Sequence, residues 1–216
     1  MGKDLDDKIR GTLEQVGERI VLYDDLRAAI GTFLANFALF ESLYLSTALK
    51  ALSTDPMVIE YLAELMPIEQ RLKLLLYLCR THRVPEALMR DVSYVRKVAN
   101  DLREHRNEIA HGAAVLTAVG ADLLADPDHE TWVPGVRRPA SKRPTPTGEG
   151  SPDVHALNMG SLHTIPTIRA WGADAEALQN STVQLAQKLA AYRRGEPWEH
   201  MIVSKPEPLA ASLFGA

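Results

Sequence analysis

The segment Arg103-Glu104-His105-Arg106-Asn107-Glu108-Ile109-Ala110-His111-Gly112 gathers side chains suited to holding a phosphate and moving a proton beside it. Histidine titrates nearest neutral pH and so can take or give a proton. Arginine grips phosphate oxygens through a rigid fork. Asn107 neither titrates nor repels an anion, and it can hold an imidazole or a phosphate oxygen by hydrogen bonds. His111 and Asn107 are four apart and neighbours on a helix surface, with Arg103 one turn earlier on the same line. Arg106 and His111 are about 140° apart on an ideal helix. One site using both must lie at the helix edge, at its end, or be completed by a second copy of the chain.

The preceding residues supply the helix. From Pro85 the apolar residues fall at Leu88, Val92, Val95, Ala99 and Leu102, steps of four and three that keep one stripe inward. The series continues to Arg106 and Ile109. Arg106 is therefore expected on the inward face, where a guanidinium needs an anionic partner or a wet cleft. Gly112 suits a left-handed helix stop, placing His111 in a partly exposed last turn.

The string Arg-Asn-x-x-Ala-His-Gly, closing an amphipathic helix in an otherwise helical chain, resembles the signature of the HEPN superfamily, the higher eukaryotes and prokaryotes nucleotide-binding domain. The resemblance covers roughly residues 25–112 and, more loosely, the helix near 164–194. It implies an all-α bundle that dimerises and, in the active branch, cuts RNA without a metal by attack of the 2′-hydroxyl. His111 would then move protons, Arg106 would neutralise charge gathering on the phosphate, and Asn107 would orient them. A Phe-Glu pair in the first long helix is also common in such domains, which makes Glu41 and, with it, Arg103 candidate supporting residues. The resemblance further implies a homodimer with a composite cleft, and a toxin or phage-defence role with an antitoxin-like or defence-system partner. The alternative is a non-catalytic HEPN-like binding or regulatory domain, in which Arg106 and Asn107 bridge helices and His111 bonds a carbonyl near the helix end.

A formal net charge of −4 argues against a protein that coats nucleic acid through a broad basic face, and leaves room for a local site. The single cysteine, Cys79, excludes an internal disulfide, and no charged-then-apolar leader opens the sequence, so a cytoplasmic setting is expected. No apolar run reads as long enough to cross a bilayer, so no membrane association is expected. The seven histidines are scattered without ligand spacing, so neither metal nor other cofactor is expected. A nucleotidyl transferase would need a glycine-rich phosphate loop or an Asp-x-Asp pair, and the sequence has neither in context.

Other elements read as follows. Lys3–Leu22 predicts an amphipathic helix with Leu5, Ile9, Leu13, Val16 and Ile20 on one side, followed by Asp24-Asp25 as a cap for the next. The second carries Leu26, Ile30, Phe33, Phe37, Phe40 and Tyr44, an aromatic stripe read as core. Helices are expected at Met57–Leu65, at Ile68–Arg80 and from Thr164 to about 194, where Gly195 and Pro197 end the last. Ala113–Val119 fits a helix or a strand. Residues 126–152 are rich in proline and glycine and enclose the basic run Arg137, Arg138, Lys142 and Arg143, read as a solvated loop or as RNA-phosphate contacts. Glu130–Val136 and Asp153–Met159 are expected to pair as a hairpin. The domain scheme is a helical domain over 1–194, with an insertion near 113–163, and a tail over 195–216.

Overall fold

The computed structural model describes residues 2–119, 131–137 and 162–207. The fold is all-α in class, with one small sheet. In chain order the elements are α1 (Gly2–Leu39), a π-helical turn (Phe40–Tyr44), α2 (Leu45–Leu52), α3 (Pro56–Leu65), α4 (Ile68–Thr81), α5 (Glu86–His111), β1 (Ala113–Val119), β2 (Thr131–Arg137), β3 (Leu162–Thr164) and α6 (Ile165–Arg194). The chain forms two compact units, Met1–Gly31 with Glu108–Arg169, and Thr32–Asn107 with Ala170–Ala216. The helices α1, α5 and α6 each run from one unit into the other.

The two helices expected from residues 3 to 52 are one unbroken helical run. Asp24 and Asp25 do not cap anything; they lie in mid-helix, Asp24 near Arg27 at 3.6 Å and Asp25 near Arg169 at 3.6 Å. The sequence signal was read as punctuation because acidic pairs favour helix starts, yet no glycine or proline interrupts the run there. By length and composition, the stretch Ile20–Leu52 would also qualify as a membrane span, with a mean hydropathy of 1.4 in its most apolar window. This corrects the reading that no run is long enough. Its aromatic face is nonetheless buried: Phe33, Phe37, Phe40, Leu45, Leu49 and Leu52 all lose essentially all contact with solvent.

In the smaller unit β1 and β2 pair antiparallel from Ala113↔Arg137 to Val119↔Thr131, and β2 pairs antiparallel with β3 from Gly135↔Thr164 to Arg137↔Leu162. The open choice at Ala113–Val119 resolves to a strand. The partners expected for the hairpin change: Thr131–Arg137 is the middle strand, flanked by β1 and β3, while Asp153–Met159 lies outside the described residues. Pro134 is opposite Leu116, and β3 reaches only as far as Gly135. Among the described residues no strand lies on the other side of Pro134, so its missing N–H costs no ladder bond to them there.

In the larger unit the aromatic stripe builds the core. Ring centroids are 6.2 Å apart for Phe33 and Phe37, 5.9 Å for Phe37 and Phe40, and 5.9 Å for Phe33 and Trp171 of α6. Pro56 begins α3, and Asp55 caps it by accepting from the N–H groups of Met57 and Val58 at 3.1 Å. Gly195 ends α6 in the left-handed conformation, φ 71°, with Glu196 N–H returning to Ala191 O at 3.0 Å. At the end of α4 that conformation falls on Arg83, φ 53°. Cys79 is buried, and burial pushes its thiol up to about 11.

After Gly195 the chain straps back along the larger unit. Ser181 donates to Ser204 O at 2.7 Å, Ser204 N–H to Gln184 at 2.6 Å, and Tyr94 to Pro206 O at 2.9 Å. Beneath the strap Asp91 receives Lys188 at 3.0 Å and Lys205 at 2.5 Å. Burial raises the Asp91 carboxyl, but the two lysines outweigh it and hold it below the ordinary value of 3.8. Its stabilisation is therefore complete above that value and is lost as pH falls through the lowered folded value. Asp91→Asn strands a buried Lys188 and should cost about 3 kcal/mol in urea unfolding at neutral pH. A loss under about 0.5 kcal/mol, the level of an ordinary surface change, would refute this account.

Candidate functional site

The helix α5 forms because its inward stripe is unbroken: Leu88, Val92, Val95, Ala99 and Leu102 are all buried. Beyond Leu102 the stripe does not pass through Arg106. It passes through His105, whose ring stacks on Trp171 with centroids 4.1 Å apart and planes 8° apart, and then to Ile109. Arg106 is exposed. A step of three and a step of four fit a 3.6-residue turn equally well, and the aromatic surface of Trp171 makes the step of three the better packed. The expectation of an inward guanidinium is thus corrected, with His105 in its place.

Arg106 lies instead on a charged surface of the larger unit. Its guanidinium donates to Asn107 Oδ1 at 3.4 Å. Arg106 and Arg71 both act on the carboxyl of Glu41. Burial raises that carboxyl above its ordinary value of 4.5, and the two guanidinium charges, Arg106 first, offset part of the rise. Glu41 is half-buried and belongs to the π-helical turn. Arg71 donates through Nη1 to Glu41 O at 2.7 Å and through Nε to Met66 O at 2.8 Å, so it fastens the widened turn from the side. Arg103 stands 3.3 Å from Glu69, which Lys73 also holds at 2.8 Å. The hydrogen bond and charge of Lys73, then the charge of Arg103, set the Glu69 carboxyl below its ordinary value. Glu69 thereby occupies Lys73 and Arg103, whereas Arg106 makes no direct ion pair among the described residues.

The smaller unit takes the rest of the motif. His111 is exposed in the last turn of α5. Gly112 follows at once, its N–H returning to Ile109 O at 3.2 Å. The chain then passes straight into β1. Three residues before His111, Glu108 meets His163 of β3 at 3.1 Å, both side chains mostly buried. Nothing in the periodicity pointed to this pair. The only available signal was a lone histidine after the proline-rich stretch, and register with β2 brings it to α5.

The larger unit thus gathers Arg106, Asn107, Glu41 and Arg71, with Arg103 beside them and tied to Glu69. Arg137 closes β2, while Arg138, Lys142 and Arg143 lie outside the described residues. The assembled groups can hold an anion at Arg106 and can take up or release a proton at Glu41, whose raised value brings it closer to neutral pH.

Because folded Glu41 holds its proton more tightly than the unfolded chain does, its contribution to stability falls as pH rises from 4.5 through the raised value. Glu41→Gln should remove that fall, so urea unfolding from about pH 4 to about pH 7 should show the variant gaining on the parent protein. Parallel profiles would refute it. Comparison with family models, curated proteins and solved structures returns no match for this chain.

Proposed function

We propose that the protein is a metal-independent endoribonuclease of HEPN type. The observation that carries the reading is the exposed Arg106–Asn107 pair near the end of α5, facing a raised-value Glu41 presented by a π-helical turn. Such turns occur disproportionately at functional sites. RNA cleavage of this kind needs a cation where charge gathers on the phosphate, and a group that takes the proton of the attacking 2′-hydroxyl and gives one to the 5′-oxygen as its bond to phosphorus breaks. Arg106 supplies the first. His111, five residues on along the same helix and open to solvent, supplies the second. Asn107 holds Arg106 and orients the phosphate. The partners this reading entails are RNA, a second copy of the chain, and an antitoxin-like or defence-system protein.

Purified protein with mixed RNA tests it. His111→Ala and Arg106→Ala should each lower cleavage by about 10²-fold. Asn107→Ala should be milder. Cleavage should survive EDTA and leave 2′,3′-cyclic phosphate or its hydrolysed form, since the internal 2′-hydroxyl is the nucleophile. Lys142→Ala and Arg143→Ala should change salt dependence rather than the chemical step. Equal cleavage by the parent and His111→Ala proteins would assign the activity to a contaminant. RNA binding without cleavage across several RNA classes would favour a non-catalytic HEPN-like binding domain.

A further inference from the structure

Along the first turns of α1 two large apolar side chains on one side of the helix stand open to solvent. Leu13 is 65% exposed and Ile20 57%, while Leu26 and Ala29, further along the same helix, are buried. In sequence register Ile9, Leu13, Val16, Ile20 and Tyr23 alternate by four and three. On an ideal helix this stripe is centred about 130° from the buried Leu26–Ala29 side. Asp25, which meets Arg169, also falls on the side away from it. Gly11 and Gly17 lie within the helix with nothing within 4 Å of where a Cβ would be. Each glycine costs a helix about 1 kcal/mol relative to alanine. A segment with two of them would fray unless something covers its apolar side.

The register says what covers it. With Leu13 and Ile20 at a and Ile9, Val16 and Tyr23 at d, the heptad flanks are Arg10, Gly17 and Asp24 at e, and Thr12 and Arg19 at g. Two copies side by side in the same direction bring g of one heptad against e of the next on the partner. Arg19 then faces Asp24 of the second copy, twice by symmetry, and Thr12 faces Gly17, a small pair that lets the helices approach. Reversing one helix, with Ile20 against Val16, instead sets the two Arg19 residues against each other. We propose that residues 9–24 of two copies pair in parallel as a short left-handed coiled coil, so that the occupant of the stripe is the same stripe on a second copy of this chain. The pairing stands apart from the ribonuclease reading, and either can fail alone.

Sedimentation of the full chain at tens of micromolar, where a moderate interface of roughly micromolar affinity is populated, tests it. The parent protein should be self-associated, and Leu13→Asp with Ile20→Asp should lower its association by one step, to a monomer or to the dimer of the composite cleft, while circular dichroism still shows the remaining helices. Reversing one charge turns two attractions into two repulsions, so Arg19→Asp and Asp24→Arg should each weaken the dimer by about tenfold. The double reversal should restore it, a rescue that an antiparallel pairing does not give and that controls for misfolding. A monomeric parent protein, an association state that the two aspartates leave unchanged, or no rescue in the double reversal would each overturn the proposal. So would a monomer that cosediments with phosphatidylcholine vesicles through Leu13 and Ile20, which would make lipid the occupant.

Discussion

A single extra residue in the first helical run governs how the larger unit packs. Through Phe33, Phe37 and Phe40 the inward face follows ordinary helical steps, but the turn Phe40–Tyr44 is π-helical, and Leu45 N–H reaches back to Phe40 O. Five residues therefore separate one inward position from the next, and the buried series resumes at Leu45, Ala48, Leu49 and Leu52 rather than at Tyr44. Without that shift, Tyr44 would point into the core and Leu45 toward solvent. The widened turn weakens its own hydrogen bonding, and Arg71 compensates by donating to the Glu41 carbonyl. The phase change that packs α2 also fixes where Glu41 sits.

Electrostatics then sorts the charged groups around that turn. Glu69 engages Lys73 and Arg103, a solvent-screened cluster of little energetic weight. Among the described residues Arg106 has only a long hydrogen bond to its neighbour Asn107, so at the surface its positive charge is tied up in no ion pair with them. A committed arginine would have to break an ion pair before gripping an anion; this one does not. Glu41, half-buried and opposed by two guanidinium groups, occupies the contrasting position, in which its proton is held more firmly than in water.

Buried polar contacts fix the end of the chain as firmly as apolar ones fix its middle. Asp91 and Lys188 are both buried and would be costly alone. Lys205 brings the strap to them, and Tyr94, Ser181 and Gln184 satisfy the strap's backbone. Polar groups taken out of water are thus paired, as burial requires.

Much of the helical architecture was legible in the sequence. The stripes of α5 and α6 predicted elements within a residue or so of those observed, because a 3.6-residue period repeated over many turns leaves little freedom. The glycine stop at Gly195 was legible for the same local reason. Of the candidate site, the residue types and the helix-end position of His111 could be read. The facing of Arg106 could not, since the choice between His105 and Arg106 as the inward residue rests on Trp171, sixty-odd positions away in α6. The strand at Ala113–Val119, the meeting of Glu108 with His163, and the π-helical turn lay equally out of reach. Each depends on a partner distant in sequence: a neighbouring strand, a register, an arginine on another helix. Periodicity reports which face of an element is apolar, and only tertiary packing decides what that face, and the polar residues at its edge, come to meet.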